Sequence, residues 1–139
     1  MIVLDTNVLS ELMKAQPSEP VIQWLDRQLV DAVWITCVTV LEIRYGIALL
    51  DNSERRLRLE QAFNAVVQRV LSGRVLNMDL IAADRTAHLS ALAKKRGRSM
   101  EIRDAMIAGI ALQHGAILAT RNCKHFFDCG VELIDPWLT

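Results

Sequence analysis

The chain opens with the stretch MIVLDTNVLSE, residues 1–11, in which an apolar run meets a carboxylate at Asp5. The run before Asp5 has the continuous apolar character of a short strand that is buried on both faces, as in a parallel sheet. Apolar residues return at helical spacing between Val8 and Leu12. The stretch therefore predicts a buried strand that leads directly into a helix, with the polar residues 5–7 at the turn between them.

The rest of the chain repeats this alternation of short apolar runs and amphipathic segments. Strands are predicted at residues 2–4, 33–36, 74–78, 116–120 and 131–134, and helices at 8–14, 20–29, 39–50, 54–71, 80–95 and 101–114. Asp79 is the predicted N-cap of the fifth helix and Gly115 the predicted C-cap of the sixth. Strands separated by helices indicate the α/β class: three layers, with a central parallel sheet of four or five short strands flanked by helices.

Composition restricts the class of protein. The 139 residues are 52% hydrophobic, and Lys plus Arg equals Asp plus Glu at 16. This predicts a single globular domain over residues 1–139 and argues against a protein that simply coats nucleic acid. No apolar stretch is long enough to span a bilayer, Asp5 interrupts the N-terminal run, and the three cysteines form no CxxC pair. We therefore expect a cytoplasmic protein with free thiols and no membrane association.

Three carboxylates fall at corresponding ends of different strands. Asp5 follows the first strand, Glu42 lies near the start of the helix after the second, and Asp104 near the start of the helix before the fourth. Asn122 follows that fourth strand. The carboxyl ends of parallel strands meet at one edge of a sheet, where ligands bind. Converging carboxylates repel one another unless a cation lies between them, and oxygen ligands favour Mg²⁺ or Mn²⁺, which activate water and polarise phosphate.

Each of these acids also has a structural explanation when it is taken alone. Asp5 is a candidate helix N-cap, although Asn7 is preferred for that position. Glu42 fits a capping box with Thr39 in the sequence TVLE. Asp104 in a first turn is favoured by the helix dipole. The functional interpretation therefore depends on the coincidence of all three acids at one edge of the sheet.

Four segments together resemble a known family. The stretches MIVLDTNVLSE, TVLEIRYG, RDAMIAGIALQHGAILATRN and VELIDPW, in this order and over nearly the full length, are similar to PIN-domain ribonucleases. More narrowly, they resemble the VapC toxins of type II toxin–antitoxin modules, in the FitB/StbB-like subgroup. The resemblance implies a PIN fold and a Mg²⁺- or Mn²⁺-dependent endoribonuclease that cleaves transfer RNA or another structured RNA. It also implies a homodimer and a VapB-type antitoxin, through which the complex binds operator DNA.

The resemblance assigns roles to individual positions. Asp5, Glu42 and Asp104 match the acidic site that binds metal and carries the catalytic residues, and Thr6 and Asn7 match the polar pair that supports it. We expect Asp5 and Asp104 to hold the metal and Glu42 to orient or deprotonate the attacking water.

The family's usual fourth acid is missing from the corresponding segment, TRNCKHF. Asn122 and His125 occupy the two candidate positions, and neither is a carboxylate. Asn122 is expected to be auxiliary, and a protonated His125 to face RNA rather than metal. Arg121 or Lys124 is expected to stabilise the substrate phosphate.

A basic run, KKRGRSMEIR, leads to Asp104 and contains Lys94, Lys95, Arg96, Arg98 and Arg103. One interpretation is a solvated helix C-terminus, where cations favour the dipole. The other is a surface that contacts the RNA backbone, which adds affinity and salt dependence without sequence choice. The two interpretations are compatible.

Two other functions compete with a nuclease. A phosphatase of the haloacid dehalogenase type also places an Asp after its first strand, but it needs a second acid two residues later, where this chain has Asn7. The other alternative is a catalytically inactive PIN fold that acts only as a binding or regulatory protein, because the fourth acid is absent. Cleavage of RNA with and without divalent metal distinguishes these alternatives from a nuclease.

Overall fold

The computed structural model describes residues 1–139 and contains five strands and six α-helices. The elements are β1 (Ile2–Leu4), α1 (Thr6–Leu12), α2 (Glu19–Asp26), β2 (Val33–Thr36), α3 (Cys37–Ala48), α4 (Ser53–Ala65), β3 (Val75–Leu76), α5 (Leu80–Lys95), α6 (Ile102–Gln113), β4 (Ile117–Ala119) and β5 (Glu132–Ile134). A π-helical turn, Val66–Val70, extends α4, and short 3₁₀ turns lie at Val30–Ala32 and Cys123–His125. All five predicted strands are present, although the third spans only two residues.

The five strands form one parallel sheet in the order β3-β2-β1-β4-β5. The first strand of the chain therefore lies at the centre of the sheet, between β2 and β4. Its register pairs Leu4 with Ala119 and Val3 with Trp34. This arrangement confirms the predicted α/β class with a central parallel sheet of short strands.

Both faces of the sheet are covered by helices, which confirms the three-layer prediction. Val3 and Leu118 belong to a core cluster that they share with α5 and α6. Leu4 and Ala119, the next residue of each strand, belong to a second cluster that packs against α1 to α4. Successive side chains on a strand point to opposite faces, so every residue of these short strands faces an apolar layer. Because both faces of β1 and β4 are covered, these strands appear in the sequence as continuous apolar runs.

Two helix starts differ from the sequence prediction. Helix α1 begins at Thr6 rather than at residue 8, and its N-cap is Asp5, which accepts a hydrogen bond from the Thr6 N–H at 2.8 Å. Helix α3 begins at Cys37, and its N-cap is Thr36, whose hydroxyl accepts from the Thr39 N–H at 3.2 Å. The preference for Asn7 as cap and the capping box of Thr39 with Glu42 were therefore wrong. Both true caps are polar residues that end a strand and begin a helix without an intervening loop.

Other predicted features are confirmed. Asp79 caps α5 by accepting from the Ala82 N–H at 2.8 Å. Gly115 follows α6 with φ of +58°, the left-handed conformation that favours glycine at a helix C-terminus. The three cysteines are free thiols. None of the helices has the length and apolar character needed to span a membrane.

Candidate active site

Asp5 lies at the carboxyl end of the central strand and is held there by several donors. Its Oδ2 accepts from the Thr120 hydroxyl at 2.7 Å and from the Asn7 amide at 3.1 Å, while Oδ1 accepts from the Thr6 N–H. The residue is only 4% exposed. Burial raises the pKa of Asp5, and the hydrogen bonds from Thr120, Thr6 and Asn7 act in the opposite direction. The carboxylate is therefore fixed in position before any ligand arrives.

Glu42 reaches the same edge from the second turn of α3. Its Oε1 accepts from the Thr6 hydroxyl at 2.8 Å, and the Thr6 hydroxyl also lies 3.0 Å from that of Thr39. Its Oε2 lies 3.9 Å from Arg103 Nη1. Thr6 therefore connects the turn after β1 to the carboxylate of α3, as expected of a residue that supports the site. The ion pair with Arg103 supplies a cation that the sequence did not assign to Glu42.

Asp104 is the third carboxylate and lies in the first turn of α6, after the N-cap Glu101. Burial, together with the negative charges of Asp5, Glu101 and Glu42, raises the pKa of Asp104 to about 6. The charges of Asp5 and Glu42 therefore act on Asp104 in the same direction as its burial does. His125 Nδ1 lies 3.7 Å from Asp104 Oδ2. The 3₁₀ turn at 123–125 therefore places the His125 ring beside Asp104, on the wall of the same cavity. Whether a protonated His125 faces RNA rather than metal stays a prediction.

The three carboxylates fit a hydrated divalent cation. No group of three His, Cys, Asp or Glu side chains is arranged to hold an ion directly. Mg²⁺ usually keeps several of its waters and contacts only one or two carboxylates, so it does not require such an enclosure. The donor set is also correct, since all the ligands are oxygens. Burial and the charges of Asp5, Glu101 and Glu42 both disfavour the charged form of Asp104, and a cation at this position would favour it.

An open cavity of about 580 Å³ extends from Glu42 and Asp104 across the loop after β4. Asn122, Lys124 and His125 line it on that side. The Asn122 N–H donates to the Thr120 hydroxyl at 3.0 Å, which fixes the backbone of this loop beside Asp5. The predicted auxiliary Asn122 and the cation of Lys124 therefore both border the acidic site.

Arg121 is placed differently from the other residues of this loop. Its backbone N–H donates to Asn7 Oδ1 at 3.2 Å, while its guanidinium carbon lies 4.9 Å from the centroid of the Trp137 ring. Arg121 is not among the residues that line the cavity. Of the two predicted phosphate contacts, Lys124 is therefore the better placed.

The basic run divides into two parts. Arg96 and Arg98 line the cavity and form ion pairs with Asp128 Oδ2, the latter at 3.5 Å. Lys94 and Lys95 occupy the last turn of α5 and do not line the cavity. Each interpretation of the run therefore applies to different residues. Lys94 and Lys95 lie at a helix C-terminus, whereas Arg96 and Arg98 face the site.

Several residues that shape the site were not predicted from the sequence. Thr120 is fully buried and donates to Asp5. The signal for it was its position next to Ala119, since the pairing of Ala119 with Leu4 places Thr120 beside Asp5. The pairing of Arg103 with Glu42 and the role of Asp128 carry no such signal, because both depend on side-chain contacts between separate elements.

Comparison with known proteins gives one family and full-length relatives. The family described as "PIN domain" matches residues 2–127. "VapC ribonuclease Y4jK" of Sinorhizobium fredii is 40% identical, over 99% of this chain and 98% of that protein. "Toxin FitB" of Neisseria gonorrhoeae is 36% identical, over 99% of both chains. A protein of Shigella flexneri named "tRNA(fMet)-specific endonuclease VapC" is 30% identical, over 96% of both chains.

Solved structures agree in fold. "Crystal Structure of FitAcB from Neisseria gonorrhoeae" contains a chain with a TM-score of 0.89 and 36% identity, covering 100% of both chains. "Structure of FitAB bound to IR36 DNA fragment" contains one with a TM-score of 0.87 and 36% identity, covering 99% of this chain and 96% of that chain. The similarity extends over the whole sheet and all its flanking helices.

Proposed function

Because the chain belongs to the PIN-domain family, in its VapC-like branch, we propose that it is a metal-dependent endoribonuclease that hydrolyses RNA phosphodiester bonds. The observation that carries this proposal is the meeting of Asp5, Glu42 and Asp104 at one edge of the sheet, with the pKa of Asp104 raised to about 6. Burial and like charge together create a site that favours a divalent cation.

The chain's own residues divide the remaining work. Asp5 and Asp104 are the proposed metal-binding carboxylates, and both are fixed at helix starts. Glu42 orients the attacking water and accepts its proton, because one of its oxygens is held by Thr6 and the other faces the cavity and Arg103. Mg²⁺ or Mn²⁺, when bound, neutralises the carboxylates and polarises the phosphate. Lys124 and the Asn122 amide lie on the cavity wall, where they contact the phosphate oxygens.

The relatives support a substrate and a partner. One relative is named as an endonuclease specific for tRNA(fMet), which supports structured RNA, and transfer RNA in particular, as the substrate class. Solved structures of relatives are FitAB and VapBC complexes, and a FitAB and a VapBC complex among them are bound to DNA. We therefore propose that a VapB-like antitoxin neutralises this protein and connects it to operator DNA. A homodimer is part of the same proposal.

The direct test is cleavage of purified transfer RNA by the protein with Mg²⁺ or Mn²⁺. We expect cleavage that EDTA abolishes and that Asp5→Asn reduces to background, because the amide cannot supply a charged metal ligand. Asn is also a good N-cap, so Asp5→Asn preserves the start of α1. Asp79→Asn makes the same change at the N-cap of α5, where Asp79 bonds Ala82 and Gln113, and serves as the matched control.

Two outcomes would overturn the proposal. If Asp5→Asn cleaves RNA as fast as the unchanged protein, the site assignment is wrong. If the unchanged protein cleaves no RNA with either ion, the inactive binding protein becomes the better explanation. The phosphatase alternative has no support in the structure, since the position two residues after Asp5 is Asn7, whose amide donates to Asp5 and to Thr120.

A further inference from the structure

A phenyl ring stands exposed on the wall of the active-site cavity. Phe127 is 65% exposed, although the preceding Phe126 is buried. The ring borders the same cavity as Asp104 and Asn122. Single exposed apolar residues are ordinary on a protein surface, so the exposure of Phe127 gains meaning only from its place on the wall of this cavity.

Arg98 lies against this ring. Its guanidinium carbon is 4.9 Å from the Phe127 centroid, within the range of a cation–π contact. Both side chains line the cavity. Aromatic rings and guanidinium planes are the two surfaces on which proteins stack the unpaired bases of RNA.

Asp128, the residue after Phe127, orients the Arg98 side chain that lies against the ring. Its Oδ2 accepts from Arg98 Nη2 at 3.5 Å and from Arg96 Nη1, so two guanidinium groups share one carboxylate. Asp128 has φ of +63°, a left-handed conformation that Asp tolerates better than most residues. Exposed ion pairs contribute little to stability, so the consequence of these contacts is orientation. One positive charge remains uncompensated beside the ring.

We propose that Phe127 and Arg98 form a stacking platform for one unpaired base of the RNA substrate, with Arg96 contacting the adjacent phosphate. This inference rests on the proposed ribonuclease function and deepens it by defining a subsite next to the acidic site. A cavity of about 580 Å³ lies in the size range of small-ligand sites. A base in a duplex has both faces covered by its neighbours, so the platform selects unpaired nucleotides.

Fluorescence of 2-aminopurine tests the platform separately from catalysis. The full chain carrying Asp5→Asn is titrated with short single-stranded RNA that contains one 2-aminopurine, placed at each position in turn. Stacking on a ring quenches this probe, so we expect quenching at one position and little with a duplex that carries the same probe. Phe127→Leu should remove the quenching and weaken binding by about tenfold, a typical loss for one stacked base. Phe127→Trp should preserve both.

Leu29→Ala is the matched control, because Leu29 is 76% exposed but lies before β2, at the opposite edge of the sheet from the site. It should leave quenching and affinity unchanged. Quenching that persists in Phe127→Leu, or that appears equally with duplex RNA, would overturn the platform. In the cleaving protein, Phe127→Leu should raise KM and leave kcat nearly unchanged. If Phe127→Leu cleaves RNA with an unaltered KM, the platform is contradicted and the proposed function is not. If the unchanged protein cleaves no RNA, the proposed function is contradicted. The binding experiment then still tests the platform.

Discussion

At the scale of single residues, Asp5 serves two purposes. It caps α1, and it presents a buried carboxylate to the site. The donors that satisfy it come from the turn after β1 and from Thr120, which lies more than a hundred positions away in the chain. The position of the Asp5 carboxylate therefore depends on the pairing of β1 with β4, which brings Thr120 beside Asp5.

Thr120→Val removes the hydroxyl that donates to Asp5 Oδ2 while keeping the shape of the side chain. We expect a loss of about 1–3 kcal/mol in the free energy of unfolding near neutral pH, because a buried carboxylate loses a donor. Chemical denaturation measures this loss. Thr86→Val is the matched control: Thr86 is also buried, but its hydroxyl donates only to a carbonyl within α5. Equal losses in the two variants would show that Thr120 has no special effect on Asp5.

The raised pKa of Asp104 predicts a pH dependence in metal-free protein. The folded value of about 6 exceeds the ordinary 3.8, so the folded state binds this proton more tightly than the unfolded state does. The contribution of this group to stability is complete below the ordinary pKa and is lost as the pH rises through the folded value. Asp104→Asn cannot ionise, so it should raise the Tm, relative to unchanged protein, more at about pH 8 than at about pH 4.

Thermal melts in a chelating buffer measure this difference. A gain of the same size at both pH values would mean that the pKa of Asp104 is not raised in the folded protein. Adding Mg²⁺ at the higher pH should stabilise the unchanged protein and have little effect on Asp104→Asn, because the ion compensates the same charge.

At the scale of elements, the contact between α5 and α6 depends on one glycine. A Cβ atom added at Gly109 would lie 2.0 Å from Thr86 Oγ1 and 2.9 Å from the Ala82 carbonyl oxygen. The second atom belongs to the backbone, so a change of rotamer cannot relieve it. Only glycine allows the two helices to approach this closely, and α6 carries Asp104 at its start.

Gly109→Ala should therefore destabilise the protein, by about 1–3 kcal/mol, the usual range for overpacking. Gly46→Ala in α3 is its control, because nothing lies within 4 Å of the added Cβ there. That change should be neutral or stabilise by roughly 0.5–1 kcal/mol, as alanine is the better helix former. Thermal denaturation of both variants checks the pair, and a stable Gly109→Ala would mean that the helices can separate without cost.

The sequence predicted the strands better than the helix starts, because burial leaves a pattern of apolar residues and capping does not. Buried apolar runs identified the three central strands, β1, β2 and β4, because strands covered on both faces contain few polar residues. The start of α1 was placed two residues late because helical spacing becomes visible only at its first buried side chain, Val8. The start of α3 was placed two residues late because Thr39 and Glu42 have the spacing of a capping box. Asp5 and Thr36 end one element and cap the next, and the apolar pattern contains no trace of that double use.

For the candidate site, the positions of the three acids were predictable from the sequence, but their supporting contacts were not. Parallel topology alone places residues that follow strands at one edge, which is why Asp5, Glu42 and Asp104 were expected there. The supporting contacts were not predictable, because Arg103 with Glu42 and His125 with Asp104 depend on side chains that cross between elements. Phe127 has no periodicity with its neighbours, and only its exposure in the fold identifies it.

At the scale of the whole molecule, a chain with no net charge must still attract a polyanion. It does so by placement, because Arg96, Arg98, Arg103 and Lys124 all line the cavity that contains the carboxylates. In the proposed function, this local positive charge attracts the phosphate backbone and leaves the carboxylates free for the proposed metal.

This placement predicts unequal effects of charge removal on RNA binding. The pair of changes Arg96→Gln and Arg98→Gln should lower the slope of log K against log salt by up to about 0.7 per lost phosphate contact for single-stranded RNA. The pair Lys94→Gln and Lys95→Gln removes the same charge outside the cavity and should change the slope less. Salt titrations of RNA binding measure both. Identical slopes for the two double variants would assign the run to general attraction only.

The central position of β1 has a consequence for the timing of folding. Its two neighbours are β2 and β4. Strand β4 begins only at Ile117, so β1 must pair with a strand that follows it by more than a hundred residues. Contacts of such long sequence separation form late, after the costly closure of a large loop. Asp5 therefore acquires its Thr120 donor only when most of the chain has emerged. A nascent or truncated chain that ends before Thr120 therefore cannot complete the candidate site.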